Sequence, residues 1–332
     1  MATLKDVAKK AGVNISTASR ALNGGLNISQ ETCDRVKQAA EALQYSPNLS
    51  ARIMVGKGSR IIGCIVPEVD SNYFARIIFE IEKRLQAKGY FLMIANTQFS
   101  GEKEVAALNT FCQYNVDGIF LACTIHQDIL DKFAQPLKDK GIPLVLIEAR
   151  LHSNDYNYIM VDDEAGITHA IAYLLERGYS RVGFLSDYIL VDLRNDQFVA
   201  ALRHNGLDPA ENPIYTHKTM RFETAGYEMM KLALSDPNRP NAFLAGYDDI
   251  AIGAMRAIDE AGLRVPEDIA LIGNDNIREA PFLHKALTTL SPPLERMAEL
   301  GVDLMISCVE KNELSIIHRI QLMPELIIRE TT

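Results

Sequence analysis

Aromatic, acidic and basic side chains that follow predicted strands are the residues of this sequence best suited to binding a small polar molecule. Aromatic faces stack on flat rings, whereas carboxylates and a guanidinium group fix hydroxyl groups or ring nitrogens. Asp after a strand is also a common helix N-cap, so each carboxylate has that simpler explanation as an alternative. The candidate ligand contacts are Asn72, Tyr73, Phe74, Asp162, Arg194, Phe222, Asp248 and Asp275.

Sequence motifs of known catalytic and metal sites are missing. The sequence contains no GxGxxG, GxSxG or HExxH pattern and no phosphate-binding P-loop, and its seven histidines are scattered. The pairs Asp162–Asp163 and Asp248–Asp249 resemble part of a metal or hydrolase site. The second Asp of each pair, however, suits the first turn of a helix, where the helix dipole favours a negative charge. We therefore expect a protein that is not an enzyme and that uses no cofactor or metal.

Membrane spans and export signals are not predicted. No apolar run approaches the length of a membrane span, and Lys5 and Asp6 lie where a signal peptide needs its apolar core. The five cysteines lack a CxxC pair, which argues against a disulfide framework or a zinc site. Reduced thiols in a cytoplasm fit this pattern best.

The N-terminal segment TLKDVAKKAGVNISTASRALN, residues 3–23, has the pattern of two short helices separated by a glycine. Thr3 is suited to cap the first helix, Gly12 to end it in a left-handed conformation, and Asn14 to cap the second. A third helix is predicted to follow Ser29. Two short helices joined by a tight turn are typical of a helix-turn-helix, although a helical hairpin that binds nothing has the same pattern.

The charge distribution favours nucleic-acid binding by this end of the chain. Residues 1–60 carry nine Lys or Arg and four Asp or Glu, a net charge of +5, and the other residues have a net charge of −14. A basic module joined to an acidic body is what phosphate binding by one end of a protein requires. The charges therefore favour the helix-turn-helix over the inert hairpin.

From residue 61 the sequence changes to apolar strands that alternate with amphipathic helices. Continuous apolar strands of this kind indicate a parallel sheet covered on both faces. The pattern occurs twice, which predicts two doubly wound lobes and a cleft facing the carboxyl ends of their strands. The predicted strands are 61–66, 90–96, 117–123 and 143–148 in the first lobe, and 158–162, 181–186, 242–247 and 268–275 in the second.

The segment YSPNLSARIMVGKGSR, which joins the head to the lobes, fits either a short helix or a plain linker. Pro47 suits the first turn of a helix, and Gly56 suits its end. The predicted fold class is an all-α head with a hinge helix, followed by a two-lobed α/β domain with doubly wound parallel sheets. The predicted boundaries are 1–46 for the helix-turn-helix domain, 47–60 for the hinge helix and linker, and 61–332 for the two-lobed domain. In that domain, lobe 1 comprises about 61–160 plus 293–322, and lobe 2 about 162–290 plus the C-terminal segment.

The ordered set of motifs resembles the lactose-repressor (LacI) family of bacterial transcription regulators. The matching motifs are TLKDVAKKAGVNISTASRALNG, YSPNLSAR, LLERGYSRVGFLS, DDIAIGAMRAIDEAGLRVPEDIALIGND and ALTTLSPP, and the similarity runs from about Thr3 to about Arg329. The resemblance implies a homodimer in which the second helix of each chain reads half of a near-palindromic operator. It also implies a body of the periplasmic-binding-protein type, with a small-molecule effector between its lobes. The expected function is repression of transcription.

Matching the family's motif residue by residue assigns the DNA contacts. Arg20 is suited to bind a guanine through two hydrogen bonds, and Ile15 to pack on a thymine methyl group. Met54 stands where the family has a hinge leucine that enters the minor groove. The base-reading residues are Ile15, Ser16 and Arg20; the backbone contacts are Thr3, Asn14, Thr17, Ser19 and Asn23; the hinge residues are Arg52, Ile53 and Met54. Capping alone is the alternative for the Ser and Thr residues.

The resemblance also bears on the effector. Phe74, Arg194 and Asp275 match effector-contact positions of the family, and Glu148 stands where the family commonly has Asp. Three carboxylates and one Arg offer more hydrogen-bond acceptors than a purine needs, so we favour a sugar or sugar derivative as the effector. A purine or nucleoside held between Phe74 and Phe222 is the alternative, since the adjacent Tyr and Phe are similar to those of a purine-binding member of the family. From another class, a solute-binding protein without DNA function shares the body's architecture but not the basic head.

Overall fold

Two units make up the chain, Met1–Arg60 and Ile61–Thr332, which we call the head and the body. The computed structural model describes residues 2–22, 28–45, 58–123, 126–148, 156–189, 194–311 and 317–332. Within these ranges, none of the helices combines the length and the apolar character that crossing a membrane requires.

The head consists of three helices, α1 (Leu4–Ala11), α2 (Ile15–Leu22) and α3 (Gln30–Ala42). Thr3 and Asp6 form a capping box at the start of α1, in which the Thr3 side chain accepts from the Asp6 N–H and the Thr3 N–H donates to the Asp6 carboxylate. Gly12 ends α1 with φ of +66°, and Asn14 accepts a hydrogen bond from the Thr17 N–H at the start of α2. The predicted caps are confirmed, which means that the turn between α1 and α2 is specified locally.

Small apolar side chains fill the core of the head. Val7 of α1, Ala18 of α2 and Val36 of α3 are each fully buried where the three helices meet. The short side chains let the helices approach closely, and they leave the opposite face of α2 to solvent. In the head, α2 therefore packs against the other two helices through one face only.

The body contains two six-stranded sheets, one in each lobe. The strands of the first sheet are β1 (Ile61–Val66), β2 (Phe91–Asn96), β3 (Gly118–Ala122), β4 (Leu144–Ile147), β5 (Asn157–Val161) and β11 (Arg319–Leu322). They are parallel throughout and lie in the order β11-β5-β4-β3-β1-β2. Apolar cores lie on both faces of this sheet, as its continuous apolar strands require.

The second sheet has the order β12-β10-β9-β8-β6-β7, in which only β12 is antiparallel to its neighbour. Its strands are β6 (Val182–Asp187), β7 (Ile214–His217), β8 (Ala242–Ala245), β9 (Ala270–Asn274), β10 (Thr288–Ser291) and β12 (Glu325–Ile327). Each predicted strand overlaps an observed one, but the strand at 158–162, which was predicted in the second lobe, is β5 of the first sheet, because it pairs with β4 and β11. Four short strands, β7, β10, β11 and β12, were not predicted, because none of them is a continuous apolar run.

Eight α-helices of the described residues cover the two sheets. They are α4 (Asn72–Ala87), α5 (Gly101–Gln113), α6 (Gln127–Asp139), α7 (Asp163–Glu176), α8 (Arg194–His204), α9 (Phe222–Leu234), α10 (Asp248–Glu260) and α11 (Leu294–Lys311). The chain crosses between the lobes after β5, after β10 and between β11 and β12, so α11 returns to lobe 1 and packs on α4. Two lobes connected three times leave a cleft where the carboxyl ends of their strands meet.

Candidate functional site

The outer face of α2 carries the residues that were predicted to read DNA bases. Ile15 is 48% exposed, and Ser16 and Arg20 are exposed as well. Ala18 and Ala21 occupy the buried face of the same helix. An exposed isoleucine beside a serine and an arginine is a suitable surface for base edges and thymine methyl groups.

The polar residues around the start of α2 bond mainly to one another. The Ser16 hydroxyl donates to Asn14 Oδ1 at 2.8 Å, and the Thr17 hydroxyl donates to the same oxygen at 2.8 Å. The Thr3 hydroxyl donates to Asp6 at 2.7 Å. In this structure Thr3 and Thr17 therefore serve as local structural groups, and a contact with phosphate requires their hydroxyl protons to turn outward. Ser19 is half-buried, and Asn23, Arg52, Ile53 and Met54 lie outside the described residues.

A cavity lies between the lobes of the body. It is built at the carboxyl ends of the strands: Glu148 follows β4, and Asp275 follows β9. Helix starts supply Tyr73 and Phe74 from α4 and Arg194 from α8. The remaining lining residues are Glu68, Ser71, Phe99, Cys123, Val161, Asp163, Ile189, Tyr247, Asn274 and Pro292. Five of the nine predicted effector contacts thus meet in one cavity.

Arg194 is the cation of this cavity. Its guanidinium group donates to the Gly246 carbonyl and lies 3.4 Å from the Asp163 carboxylate. The guanidinium carbon is 5.5 Å from the centre of the Tyr247 ring. A buried guanidinium held by a carboxylate, a carbonyl and an aromatic face is fixed in place before any ligand binds.

Glu148 closes the lobe-1 side of the cavity. Its Oε1 accepts a hydrogen bond from the Val161 N–H at 2.9 Å, and the Tyr73 hydroxyl donates to the same carboxyl group. Burial in the cavity, reinforced by the negative charge of Asp163, raises the pKa of Glu148 to about 8. This carboxyl group is therefore neutral over much of the physiological pH range.

Asp275 is the carboxylate with the fewest partners. It is only 4% exposed, and its side chain makes no hydrogen bond to the residues that the structure describes. Its backbone has φ of +108°, and its N–H donates to the Leu290 carbonyl at 2.8 Å. Burial raises the pKa of Asp275 well above the usual range, although the Arg194 charge acts in the opposite direction. A carboxylate that lines the cavity and has no donor among the described residues is suited to a donor group of a ligand.

Two of the predicted effector carboxylates serve the protein's own structure instead. Asp162 caps α7 by accepting from the Ala165 N–H at 3.0 Å. Asp248 accepts from the Thr289 hydroxyl at 2.6 Å and from the Ile277 N–H at 2.8 Å, and it is fully buried. Neither residue lines the cavity, so the helix-cap alternative holds for Asp162, and Asp248 ties together two segments of lobe 2.

Asn72 and Phe222 also lie outside the cavity lining. The Asn72 side chain donates to Asp249 at 3.0 Å, and the Phe222 ring contacts the Tyr247 ring at 6.0 Å between centres. Phe222 therefore packs beside the cavity, and the predicted facing pair of Phe74 and Phe222 is not observed.

Of the ten lining residues that the sequence prediction missed, four are charged or aromatic. Asp163 was assigned to the first turn of a helix, where it does begin α7, but its carboxylate also meets Arg194. The other three are Glu68, Phe99 and Tyr247. The sequence prediction did select the segments VDD and GYDD. Within each segment, however, only the orientation of the side chains decides which residue lines the cavity.

Charged contacts cross the mouth of the cleft from lobe to lobe. Arg221 of lobe 2 forms an ion pair with Glu68 of lobe 1, and its Nε lies 3.1 Å from Asp187. Arg76 of α4 donates to the carbonyl oxygens of Asp275 and Asn276 at 3.2 and 2.8 Å. These contacts hold the two lobes together around the cavity. Over the described residues, no cluster of His, Cys, Asp and Glu is arranged to hold a metal ion.

Comparison with known sequences points in the same direction as this geometry. Residues 3–48 match the family model described as bacterial regulatory proteins, lacI family, and residues 171–332 match a periplasmic binding protein-like domain. The chain is similar to the HTH-type transcriptional repressor PurR of Serratia proteamaculans (strain 568), with 33% identity over 337 residues that cover 100% of this chain and 97% of that protein. PurR of Escherichia coli O139:H28 is 34% identical over 338 residues, with the same coverage.

Solved structures share the fold. The lac repressor dimer bound to operator and the anti-inducer ONPF has a TM-score of 0.87 and 24% identity, covering 99% of this chain and 98% of that one. The complex of the transcriptional regulator CelR with cellobiose has a TM-score of 0.72 and 24% identity, covering 100% of both chains. From its head, its two-lobed body and its full-length similarity to repressors, the chain belongs to the LacI family and is a DNA-binding repressor, not an enzyme.

Proposed function

We propose that this repressor binds its operator as a homodimer through the exposed face of α2 and responds to an effector bound in the cavity of the body. The observation that supports this most directly is the combination of Ile15, Ser16 and Arg20 on the solvent face of a helix in a basic head. Such a face supplies a methyl contact, a permissive hydroxyl and a bidentate donor. The proposal includes action in the cytoplasm, where the operator is.

We further propose the division of labour that the boundaries imply. Residues 1–46 bind the major groove, residues 47–60 form the hinge that reaches the minor groove through Met54, and residues 61–332 bind the effector and the second subunit. In dimeric repressors of this kind, the symmetry of the dimer sets the distance between the two half-sites of the operator.

For the effector we propose a planar nitrogen-containing ring of the purine class. The preference for a sugar depended on Asp162 and Asp248 facing the ligand, and both side chains are bonded within the protein. The cavity instead offers the rings of Tyr73, Phe74, Phe99 and Tyr247. The relatives' name, PurR, which stands for purine repressor, supports the same class.

Ring geometry also favours a flat ligand. The rings of Tyr73 and Phe74 are 5.3 Å apart and nearly perpendicular, at 84°. A planar ligand that stacks on one of them meets the edge of the other, an arrangement that aromatic quadrupoles favour. A sugar stacks through one face only and is the second candidate. The CelR–cellobiose complex shares the fold at 24% identity, which carries no argument about the ligand of this chain.

Fluorescence anisotropy tests both parts of the proposal. The purified chain is titrated onto labelled DNA from the promoter beside its own gene, with and without hypoxanthine, guanine or adenine. We expect the chain to bind this DNA tightly and in a sequence-dependent manner. One of the bases should change the affinity for DNA by at least about tenfold, and by linkage the DNA should change the affinity for that base by the same factor.

Matched variants separate the two parts. Phe74→Ala should abolish the response to the base while leaving the DNA affinity without effector intact, and Leu232→Ala, on the exposed face of α9, should change neither. No binding to any promoter DNA would support the solute-binding alternative. A response to sugars but not to bases would replace the purine class with the sugar class.

A further inference from the structure

The cavity contains more carboxyl groups than cations. Four acidic residues line it, and Arg194 is the single basic residue among the described residues of the lining. The four are Glu68, Glu148, Asp163 and Asp275. An imbalance of this kind inside a protein is costly unless protons or a bound cation compensate it.

Two of the four acids are already balanced by the protein. Both oxygens of Glu68 take hydrogen bonds from Arg221, which also pairs with Asp187. Asp163 lies 3.4 Å from the Arg194 guanidinium. Both arginines are therefore already paired with carboxylates, and the Nε of Arg194 is left without a hydrogen-bond partner among the described residues.

Glu148 and Asp275 are the two that remain. Glu148 receives only neutral donors, the Val161 N–H and the Tyr73 hydroxyl, and Asp275 receives none from the described residues. The charged groups that face Asp275 are Arg194, Asp163, Asp248 and Asp249, and those that face Glu148 are Asp163 and Arg194. Around Asp275 three negative neighbours face one positive neighbour, whereas Glu148 has one neighbour of each sign.

Aromatic rings complete the site. Tyr73 and Phe74 lie at the start of α4, and Phe99 and Tyr247 line the same cavity. Arg194 already lies over the Tyr247 ring, so this cavity accepts a cation on an aromatic face. Carboxylates combined with aromatic faces are the usual means by which proteins bind organic cations.

We propose that the effector binds as a cation, with a protonated amidine-like or ammonium nitrogen directed at Asp275 and Glu148 and its ring against the aromatic side chains. This inference rests on the proposal that an effector binds in the cavity, and it narrows the planar nitrogen-containing ring to one that carries a positive charge when bound. The ligand's N–H groups take the acceptor position that no described residue fills at Asp275.

Proton release follows from this charge pairing. Burial raises the pKa of Glu148 to about 8, so this carboxyl group holds a proton in the free protein near neutral pH, and burial also raises the pKa of Asp275 well above its usual value. When a cation enters, a carboxyl group becomes a carboxylate and its proton passes to the solvent. The affinity for a cation should therefore rise with pH, as long as the ligand itself stays protonated.

Isothermal titration calorimetry on the full-length chain tests the inference with two ligands of nearly equal shape. The first is 2-aminobenzimidazole, a planar bicycle that carries a protonated amidine-like edge near neutral pH, and the second is benzimidazole, which is mainly neutral there. We expect the cation to bind at least about tenfold more tightly. Titrations in phosphate and in Tris, which differ in ionisation enthalpy, should report proton release for the cation only.

Charge-removing variants locate the effect. Asp275→Asn and Glu148→Gln keep the shape of the side chain, and each should reduce the preference for the cation about tenfold and decrease the number of protons released. Asp162→Asn, on the helix cap outside the cavity, should leave both quantities unchanged. Circular dichroism and melting curves confirm that each variant is folded.

Several outcomes overturn the inference. These are equal affinity for the two probes, proton uptake on binding, no binding of the cation at millimolar concentration, or a preference that survives in both Asp275→Asn and Glu148→Gln. If hypoxanthine, guanine or adenine binds without proton release, the purine effector stands and the cationic ligand is rejected. If 2-aminobenzimidazole binds as expected and the three bases do not, the cationic ligand stands and the purine class is rejected.

Discussion

Arg20 is the residue on which sequence-specific DNA binding most depends. It is exposed on the outer face of α2, where its guanidinium group can take a guanine through two hydrogen bonds. Arg20→Ala should weaken binding to the preferred operator by about 1–3 kcal/mol and relax the preference at one base pair. Arg35→Ala removes the same charge from the exposed surface of α3 and serves as the matched control. Quantitative gel shifts on single-base operator variants measure both, and an equal loss on every sequence would show that Arg20 contacts phosphate instead.

Glu148 makes the stability of the body depend on pH. Its pKa of about 8 in the folded protein is above the usual value of 4.5, so the folded state binds the proton more tightly than the unfolded state. The associated stability is fully present below pH 4.5 and is lost as the pH rises through about 8.

Glu148→Gln should remove this loss, because Gln keeps the acceptor for the Val161 N–H and cannot ionise. At pH near 8 the variant should be more stable than the parent by on the order of 4 kcal/mol, and the difference should shrink towards pH 5. Denaturant unfolding at several pH values measures it, with the exposed Glu164→Gln as control. A difference that does not change with pH would contradict the assignment.

At the scale of elements, α9 and α10 pack backbone to backbone through two glycines. A Cβ on Gly226 would lie 2.0 Å from the Ile250 carbonyl oxygen, and a Cβ on Gly253 would lie 1.8 Å from the Glu223 carbonyl oxygen. Backbone atoms cannot yield as a flexible side chain does, so a methyl group at either position forces the helices apart.

Gly253→Ala should therefore destabilise the body by at least about 2 kcal/mol. Gly301→Ala in α11 is the control, since its Cβ would meet Ile159 at 3.4 Å, an ordinary contact. There the gain in helix propensity should stabilise the body by about 0.5–1 kcal/mol. Opposite shifts of the melting temperature are expected, and a shift in the same direction for both variants would refute the close-packing explanation.

Arg221 joins the lobes at the mouth of the cleft. It pairs with Glu68 of lobe 1 and with the fully buried Asp187 of lobe 2. Arg221→Gln takes the cation away from both carboxylates and should destabilise the body by roughly 2–4 kcal/mol. Arg256→Gln, which breaks an exposed pair with Glu260, should change the stability far less. Thermal melting of the two variants checks the contrast, and equal losses would mean that the cleft pair contributes no more than a surface pair.

For the whole molecule we expect a dimer and not a tetramer at micromolar concentration. By resemblance to the family, we expect α4 to be one of the dimer surfaces, and Phe79 on that helix is 57% exposed in the single chain. A large exposed apolar side chain is typical of an interface. Phe79→Asp should give monomers in sedimentation experiments without loss of folding, whereas Leu232→Asp, equally exposed on α9, should not. A four-chain mass for the parent, or a dimer for Phe79→Asp, would be evidence against this arrangement.

The sequence by itself determined the features that depend on neighbouring residues. Caps at Thr3, Gly12 and Asn14 act within one helical turn, so the helix-turn-helix was predictable down to its hydrogen bonds. The continuous apolar strands of both sheets were equally predictable, because burial on both faces needs no knowledge of the partner strand. The short strands β7, β10, β11 and β12 lack such runs, and their pairing depends on strands that are distant in the chain.

Only the tertiary structure decided which carboxylates of the two acidic pairs face the cavity. Asp162 and Asp163 are adjacent, yet the first caps α7 and the second meets Arg194. The Asp248 side chain bonds to Thr289 of strand β10 and therefore does not face the cavity. Asp275 is an acceptor with no donor among the described residues. The rotation of a helix start is set by the segments packed around it, and those segments come from parts of the chain that no local pattern connects.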